Sequence, residues 1–321
     1  MKTFTLACFT LAVCVGHAPR VFAQAYPAKP VRLIIPFPPG GSTDVIGRAF
    51  GGKLSEAWNQ PVVIENRGGA NTIIAAEAAA KSAPDGYTLF LTTAATMTTN
   101  TLLYRKLPYD AKTSFALISM LTISPYLIAA HPSLPARGVK ELLALARARP
   151  GEITWSCGGS PSQLAAELFK KTAGVNVIVV PYKGNAPAVT AAMSGEVSLS
   201  FGNVAQSVPQ VKAGRLRALG VGSLQRSAVM PDVPTVAEAG LAGFEAGAWY
   251  GVLAPAATPR AIVDRLGGEL VRILKLPDVQ QRLRGEAYDV IADTPDQFAA
   301  AIRAEIAKWA PLVKQAGLRV D

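Results

Sequence analysis

Residues 31–44 read V-R-L-I-I-P-F-P-P-G-G-S-T-D, and the punctuation of that stretch decides the fold. The β-branched run over 31–36 predicts a strand. It stops at prolines, passes through Gly40 and Gly41, and opens a helix at Ser42. Glycines let backbone approach a ligand. The N–H groups of a helix start have no intrahelical partner and carry the positive end of the helix dipole, so this layout accepts an anion. The same order recurs downstream: residues 153–156 form a short strand, Cys157-Gly158-Gly159-Ser160 the loop, and 161–173 the helix. Two such half-sites predict two domains facing each other across a cleft.

Strands and helices alternate outward from there, which argues for an α/β architecture. Helix 42–59 places Ile46, Phe50, Leu54 and Trp58 on one face. Strands are expected at 62–65 and 88–91 with a helix at 72–81 between them, then at 115–121 and 126–130, separated by Ser124-Pro125. The second half alternates again: helix 139–149, strand 153–155, helix 162–172, strand 177–180, helix 186–194, strand 197–201 and strand 216–221. A short helix at 236–239 and a returning strand at 249–254 follow. Ile262, Leu266, Leu270 and Leu274 share one helical face, and so do Phe298, Ile302, Ile306, Trp309 and Val313. No Pro/Gly/Ser-rich linker divides the halves, so one domain is expected inside the other. The chain then crosses at Ser124-Pro125 and Ala248-Trp249. The expected division is a signal peptide over 1–25, a first domain over 26–124 plus 249–321, and a second over 125–248.

The N-terminus has the makings of that signal peptide: Lys2, an apolar run over 4–15, and Ala23-Gln24-Ala25. Cleavage is expected after Ala25, with Ala23 the alternative. Cys14 follows Val13 rather than a small residue, and Cys8 lies too early, which argues against lipidation. The expected product is an exported protein. Cys157 then remains alone of three cysteines and His131 alone of two histidines, so neither an intramolecular disulfide nor a Cys/His zinc site can form. His131 stands in His131-Pro132-Ser133, more like a turn residue than the base of a catalytic triad. The 32 basic residues exceed the 22 acidic ones, and by eight once Lys2 and Arg20 have left. That balance attracts small acidic molecules. No nucleic-acid motif, P-loop or G-x-G-x-x-G fingerprint is present, and no cofactor is expected.

Within the first loop, Ser42 or Thr43 is expected to cap the helix. Asp44 either complements the helix dipole or pairs with a ligand ammonium. Ser160 is placed to cap the helix beginning at Pro161. Cys157, near that helix start, either has a lowered thiol pKa or simply fills a tight loop. Tyr182 and Lys183 follow a strand and precede a helix, within reach of an acidic ligand. Phe37, Trp249 and Tyr250 are candidates for apolar cleft walls.

At these residues the chain resembles the Bug family, the periplasmic receptors of tripartite tricarboxylate transporters. The resemblance runs through P-F-P-P-G-G-S-T-D (36–44), E-N-R-G-G-A (65–70), P-D-G-Y-T-L (84–89), V-P-Y-K-G-N-A-P-A (180–188), L-R-A-L-G-V (216–221) and V-P-T-V-A-E-A-G-L (233–241), and on to T-P-D-Q-F (294–298). It implies a type II periplasmic-binding-protein fold that closes on a small carboxylate like a Venus flytrap. Carried over, it assigns one half-site to Gly40, Gly41 and Ser42, the other to Ser156, Gly159 and Ser160, a wall to Phe37, and further contacts to Thr92 and Asn203. Two departures stand out. Cys157 and Gln163 occupy a region where the family has a Ser/Gly run and then His, and Asn71-Thr72-Ile73-Ile74 is less glycine-rich than usual. The expected protein is a monomeric, non-enzymatic receptor for a small organic anion, a dicarboxylate or acidic amino acid, which it delivers to membrane permease subunits. The rival readings are a ligand sensor docking on a signalling protein and an enzyme using Cys157 or Ser160.

Overall fold

The computed structural model describes residues 26–316 and Leu318; the expected signal peptide lies outside them. The first lobe opens with β1 (Val31–Ile35), α1 (Ser42–Trp58), β2 (Val62–Asn66), α2 (Ile73–Ala80) and β3 (Thr88–Thr93). A π-helical turn at Ala95–Thr99 leads into the short α3 (Asn100–Leu103), and β4 (Phe115–Ala130) carries the chain into the second lobe. There follow α4 (Val139–Ala148), β5 (Thr154–Cys157), α5 (Ser160–Ala173), β6 (Ile178–Pro181), α6 (Asn185–Met193), β7 (Leu199–Asn203), α7 (Val204–Lys212) and β8 (Arg217–Val221). The return is β9 (Gly247–Pro255), α8 (Arg260–Leu274), α9 (Pro277–Gly285), β10 (Asp289–Val290) and α10 (Pro295–Ala316).

The strands pair in the order β2-β1-β3-β9-β4-β7-β5-β6. Parallel pairs (β1 with β2 and β3, β5 with β6 and β7) lie at the two ends, joined by crossover helices. The centre is antiparallel. β4 pairs with β9 from Phe115↔Pro255 to Pro125↔Gly247; its last five residues then pair with β7 on one side, and the last four of them with β8 on the other. The sequence suggested a break at Ser124-Pro125, but the strand runs straight through. Pro125 has no N–H to give to a ladder, and it stands where β4 changes partners, so nothing is lost there. Two register shifts in the β4–β9 pairing bend this crossing.

Each lobe buries apolar side chains on both faces of its sheet. Phe50, Leu33, Leu91 and Leu266 pack in the first lobe under α1 and α8. Trp155, Phe169 and Phe201 anchor the second. The Trp155 and Phe169 rings meet edge-to-face at 4.9 Å, an arrangement worth about 0.5–1.5 kcal/mol beyond its buried area. α10 joins both cores: Phe298 and Ile302 pack in the first lobe, Trp309, Leu312 and Val313 in the second. It therefore belongs to both lobes rather than to the first alone.

The expected helix at 236–239 is a single hydrogen-bonded turn. Thr235 and Glu238 cap each other, with Thr235 N donating to Glu238 Oε2 and Glu238 N to Thr235 Oγ1. That capping box starts a helix, but Gly240 follows at positive φ and stops it.

Candidate functional site

A cavity of about 130 Å³ lies between the lobes. Phe37, Gly41, Ser42, Thr43, Thr93 and Tyr250 line it from the first lobe, and Gly158, Gly159, Ser162, Lys183, Asn185 and Asn203 from the second. A larger vestibule of about 630 Å³ shares Phe37, Gly158, Gly159 and Lys183 with it and extends to Asn71, Ser160, Gln163 and Tyr182.

The β1–α1 loop is held open from behind by Asp44. This buried carboxylate accepts hydrogen bonds from Gly40 N (3.0 Å), Arg48 Nε (2.9 Å) and Asn66 Nδ2 (3.1 Å). Burial works to raise its pKa, but the three donors and the Arg48 charge outweigh it and hold the carboxyl below its ordinary range. Both oxygens are engaged within the loop, so Asp44 fixes the loop rather than pairing with a ligand ammonium. Gly40, with φ of 82°, makes the turn that only glycine adopts freely, and its N–H is already committed to Asp44. Gly41, not Ser42, stands at the helix cap, with no side-chain cap. The first intrahelical bond runs from Val45 N to Gly41 O, which leaves the N–H groups of Ser42 and Thr43 in the first turn without an intrahelical acceptor.

Ser42 faces the cavity, where its hydroxyl accepts a 3.0 Å bond from Asn203 Nδ2. The same amide donates to the Tyr250 hydroxyl. This Ser42–Asn203–Tyr250 bridge joins the two lobes on the hinge side of the cavity. Asn203 Oδ1 is buried with no partner in the protein, and so is Thr93 Oγ1. Buried polar groups are rarely left so, and both residues line the cavity. Lys183 is the one charged side chain on the inner wall among the described residues.

Several expected site residues sit elsewhere. Thr92 is buried with its hydroxyl on the Thr93 carbonyl, and the cavity wall is Thr93. Ser156 Oγ donates to the carbonyls of Ala188 (2.7 Å) and Leu199 (3.3 Å) inside the second lobe. Cys157 packs in that lobe's core with its thiol on the Ser162 carbonyl, and burial pushes its pKa up rather than down. α5 begins at Ser160 with Gly159 at its cap, so Ser160 is not the cap expected. Its N–H donates to Asn71 Oδ1 (3.1 Å), and its hydroxyl lies 2.6 Å from Thr99 Oγ1 and 3.2 Å from Asn100 Oδ1, all in the opposite lobe. Tyr182 reaches only the vestibule, where its hydroxyl donates to Glu196; that bond, then burial, raises its pKa to about 12. Phe37, Gly41, Ser42, Gly159 and Asn203 meet at the inner cavity. Gly158 there admits no side chain, since a Cβ would stand 2.6 Å from Asn185 N.

Tripartite tricarboxylate transporter family receptor is the family description that matches this chain, over residues 46–318. The protein BugT of Bordetella pertussis is 36% identical over 308 residues, covering 95% of this chain and 94% of that one. The Rhodopseudomonas palustris structure described as Rpa4515 with adipate superposes with a TM-score of 0.88 at 36% identity, covering 91% of this chain and 98% of its own. MatC from R. palustris with bound malate gives 0.84 at 31%, covering 90% and 100%. The two-lobed α/β architecture and these similarities agree: the chain belongs to the tripartite tricarboxylate transporter family of periplasmic solute-binding receptors.

Proposed function

We propose that this protein captures a small organic dicarboxylate or acidic amino acid in the inner cavity and closes on it. The observation that carries this reading is the makeup of the cavity: uncommitted N–H groups at the start of α1 on one wall and Lys183 on the lining from the other lobe. The N–H pair receives a carboxylate with the dipole of α1 behind it. Ser42 and Tyr250 accept from Asn203, so each keeps its own proton to donate. Asn203 Oδ1 lacks a donor and suits a ligand hydroxyl or ammonium. The relatives described with adipate and malate hold diacids of this kind. About 130 Å³ is well below the ~300–1,000 Å³ of a drug-sized pocket, which favours a compact ligand.

In this reading recognition falls mainly on the first loop, Asn203 and Lys183 rather than on two equivalent Gly-Gly-Ser loops. The lobes move about the β4–β9 crossing near Ser124-Pro125 and Ala248-Trp249, and the closed form is delivered to permease subunits at the membrane. The protein works in the periplasm after its leader is removed, as a binding protein and not an enzyme. Replacing Ser42 with Phe fills the cavity from its first-lobe wall and removes the hydroxyl that Asn203 donates to. Titration calorimetry should show carboxylate binding abolished in Ser42→Phe while the ligand-free protein still unfolds in one cooperative transition. Retained affinity would overturn the assignment.

A further inference from the structure

The residues after β2 make an unusual turn. Ala70, Asn71 and Thr72 have φ of 44°, 52° and 76°, three successive non-glycine residues in the left-handed region. Backbone of this kind persists only where the surroundings over-determine it, and it concentrates at functional positions. The surroundings here are polar and mutually satisfied. Asn71 Nδ2 donates to Asn100 Oδ1 at 2.7 Å, and Asn100 Nδ2 returns a 2.7 Å bond to the Asn71 carbonyl. Thr72 and Thr96 hydroxyls meet at 2.9 Å beneath them. The π-helical turn at Ala95–Thr99, another feature frequent at functional sites, turns Thr99 toward the opposite lobe. The strain has one product: it aims Asn71 Oδ1 across the cleft at the Ser160 N–H.

We propose that Asn71 is a specificity-determining residue that fixes the closed width of the cleft and thereby the length of ligand it accepts. This rests on the capture reading above. The Gly158–Gly159 wall of the inner cavity is continuous with Ser160, so pinning Ser160 to the first lobe sets how far that wall stands from Phe37 and Ser42. The Ser160 hydroxyl on Thr99 and Asn100 adds to the same latch. With α5 held from the other lobe, its first-turn N–H at Ser160 is taken by a protein amide, and the ligand is confined to the inner cavity. Short diacids fit there, whereas a longer chain pushes into the vestibule and against the latch.

The test is the Asn71→Gly variant, because glycine adopts φ of 52° without strain and the Asn100 amide keeps its bond to the carbonyl at position 71. Binding and release of the linear series malonate, succinate, glutarate and adipate would be followed for both proteins. The wild type should prefer the shorter members. Asn71→Gly should shift that preference toward the longer ones and release ligand roughly tenfold faster, with the ligand-free unfolding temperature maintained or raised. An unchanged length profile and release rate in the folded variant overturns the proposal. Spin labels at Glu56→Cys and Arg149→Cys separate this from failure of the capture reading. If neither this series nor aspartate and glutamate bind the wild type, capture falls; a lobe separation that stays the same with and without Asn71 sinks the latch.

Discussion

Thr93 carries a buried hydroxyl with no protein partner, on the wall of the inner cavity. An unsatisfied buried hydroxyl destabilises a folded protein by about 1–3 kcal/mol. Thr93→Val keeps the shape and removes that cost. It should therefore raise ligand-free stability by about 1 kcal/mol in denaturant titration while weakening carboxylate affinity severalfold. A variant that binds as well as the wild type would show that the hydroxyl serves no ligand. The sequence pointed to Thr92 instead, one residue away. Neighbouring strand residues face opposite sides, and β3 is buried on both faces, so its phase left no hydrophobic alternation to read. Asn71 was visible only as a missing glycine, because its partner Ser160 lies 89 residues away. Cys157 lies in the core with its thiol pKa pushed up by burial. It should resist alkylation at pH 8 in native buffer and react at once in denaturant; rapid native labelling would contradict that placement.

Most helices were legible from a local period, as the Ile46–Phe50–Leu54 stripe of α1 is buried as the spacing implied, and the parallel strands from their apolar runs between turns, but α3, α7 and α9 were not expected. β4 was not, since a proline in a strand normally marks an end, and only the change of pairing partner explains why this one does not. On the hinge side of β4 and β9, α10 presents Glu305. Its carboxylate accepts from Trp249 Nε1 (2.5 Å) and Trp309 Nε1 (3.3 Å) and lines a cavity of about 450 Å³ with Ser124 and Lys308. Burial raises its pKa above the ordinary 4.5, more than the indole and Thr98 hydrogen bonds lower it. A raised carboxyl pKa means the folded state holds the proton more tightly than the unfolded chain. This group therefore contributes less stability as pH rises from about 4.5 through its folded value. The unfolding temperature of Glu305→Gln, measured against that of the wild type across this range, should gain on it as pH rises. A difference that is independent of pH would remove Glu305 as a titrating group of this cavity.

At the scale of the whole molecule, two lobes share two antiparallel strands and one helix, and polar side chains join their facing surfaces, Gln206 to the Gly40 carbonyl among them. The Ser42–Asn203–Tyr250 bridge lies toward the hinge, and the Asn71–Ser160 contact toward the mouth. Both ends of the cavity are thus set by side chains from opposite lobes, an arrangement that would couple occupancy to closure under the function proposed above. The positive balance of the chain favours approach of an anion from a distance. Anything that binds the closed form and not the unfolded chain raises its stability, by about 2.7 kcal/mol at a hundred times the dissociation constant. The most direct measurement is thermal unfolding of ligand-stripped protein against a panel of dicarboxylates, hydroxy diacids, acidic amino acids, tricarboxylates and aromatic acids. Short diacids or acidic amino acids should raise the unfolding temperature selectively and Ser42→Phe should abolish the rise, whereas no shift with any carboxylate in the wild type would contradict capture as the function of the cleft.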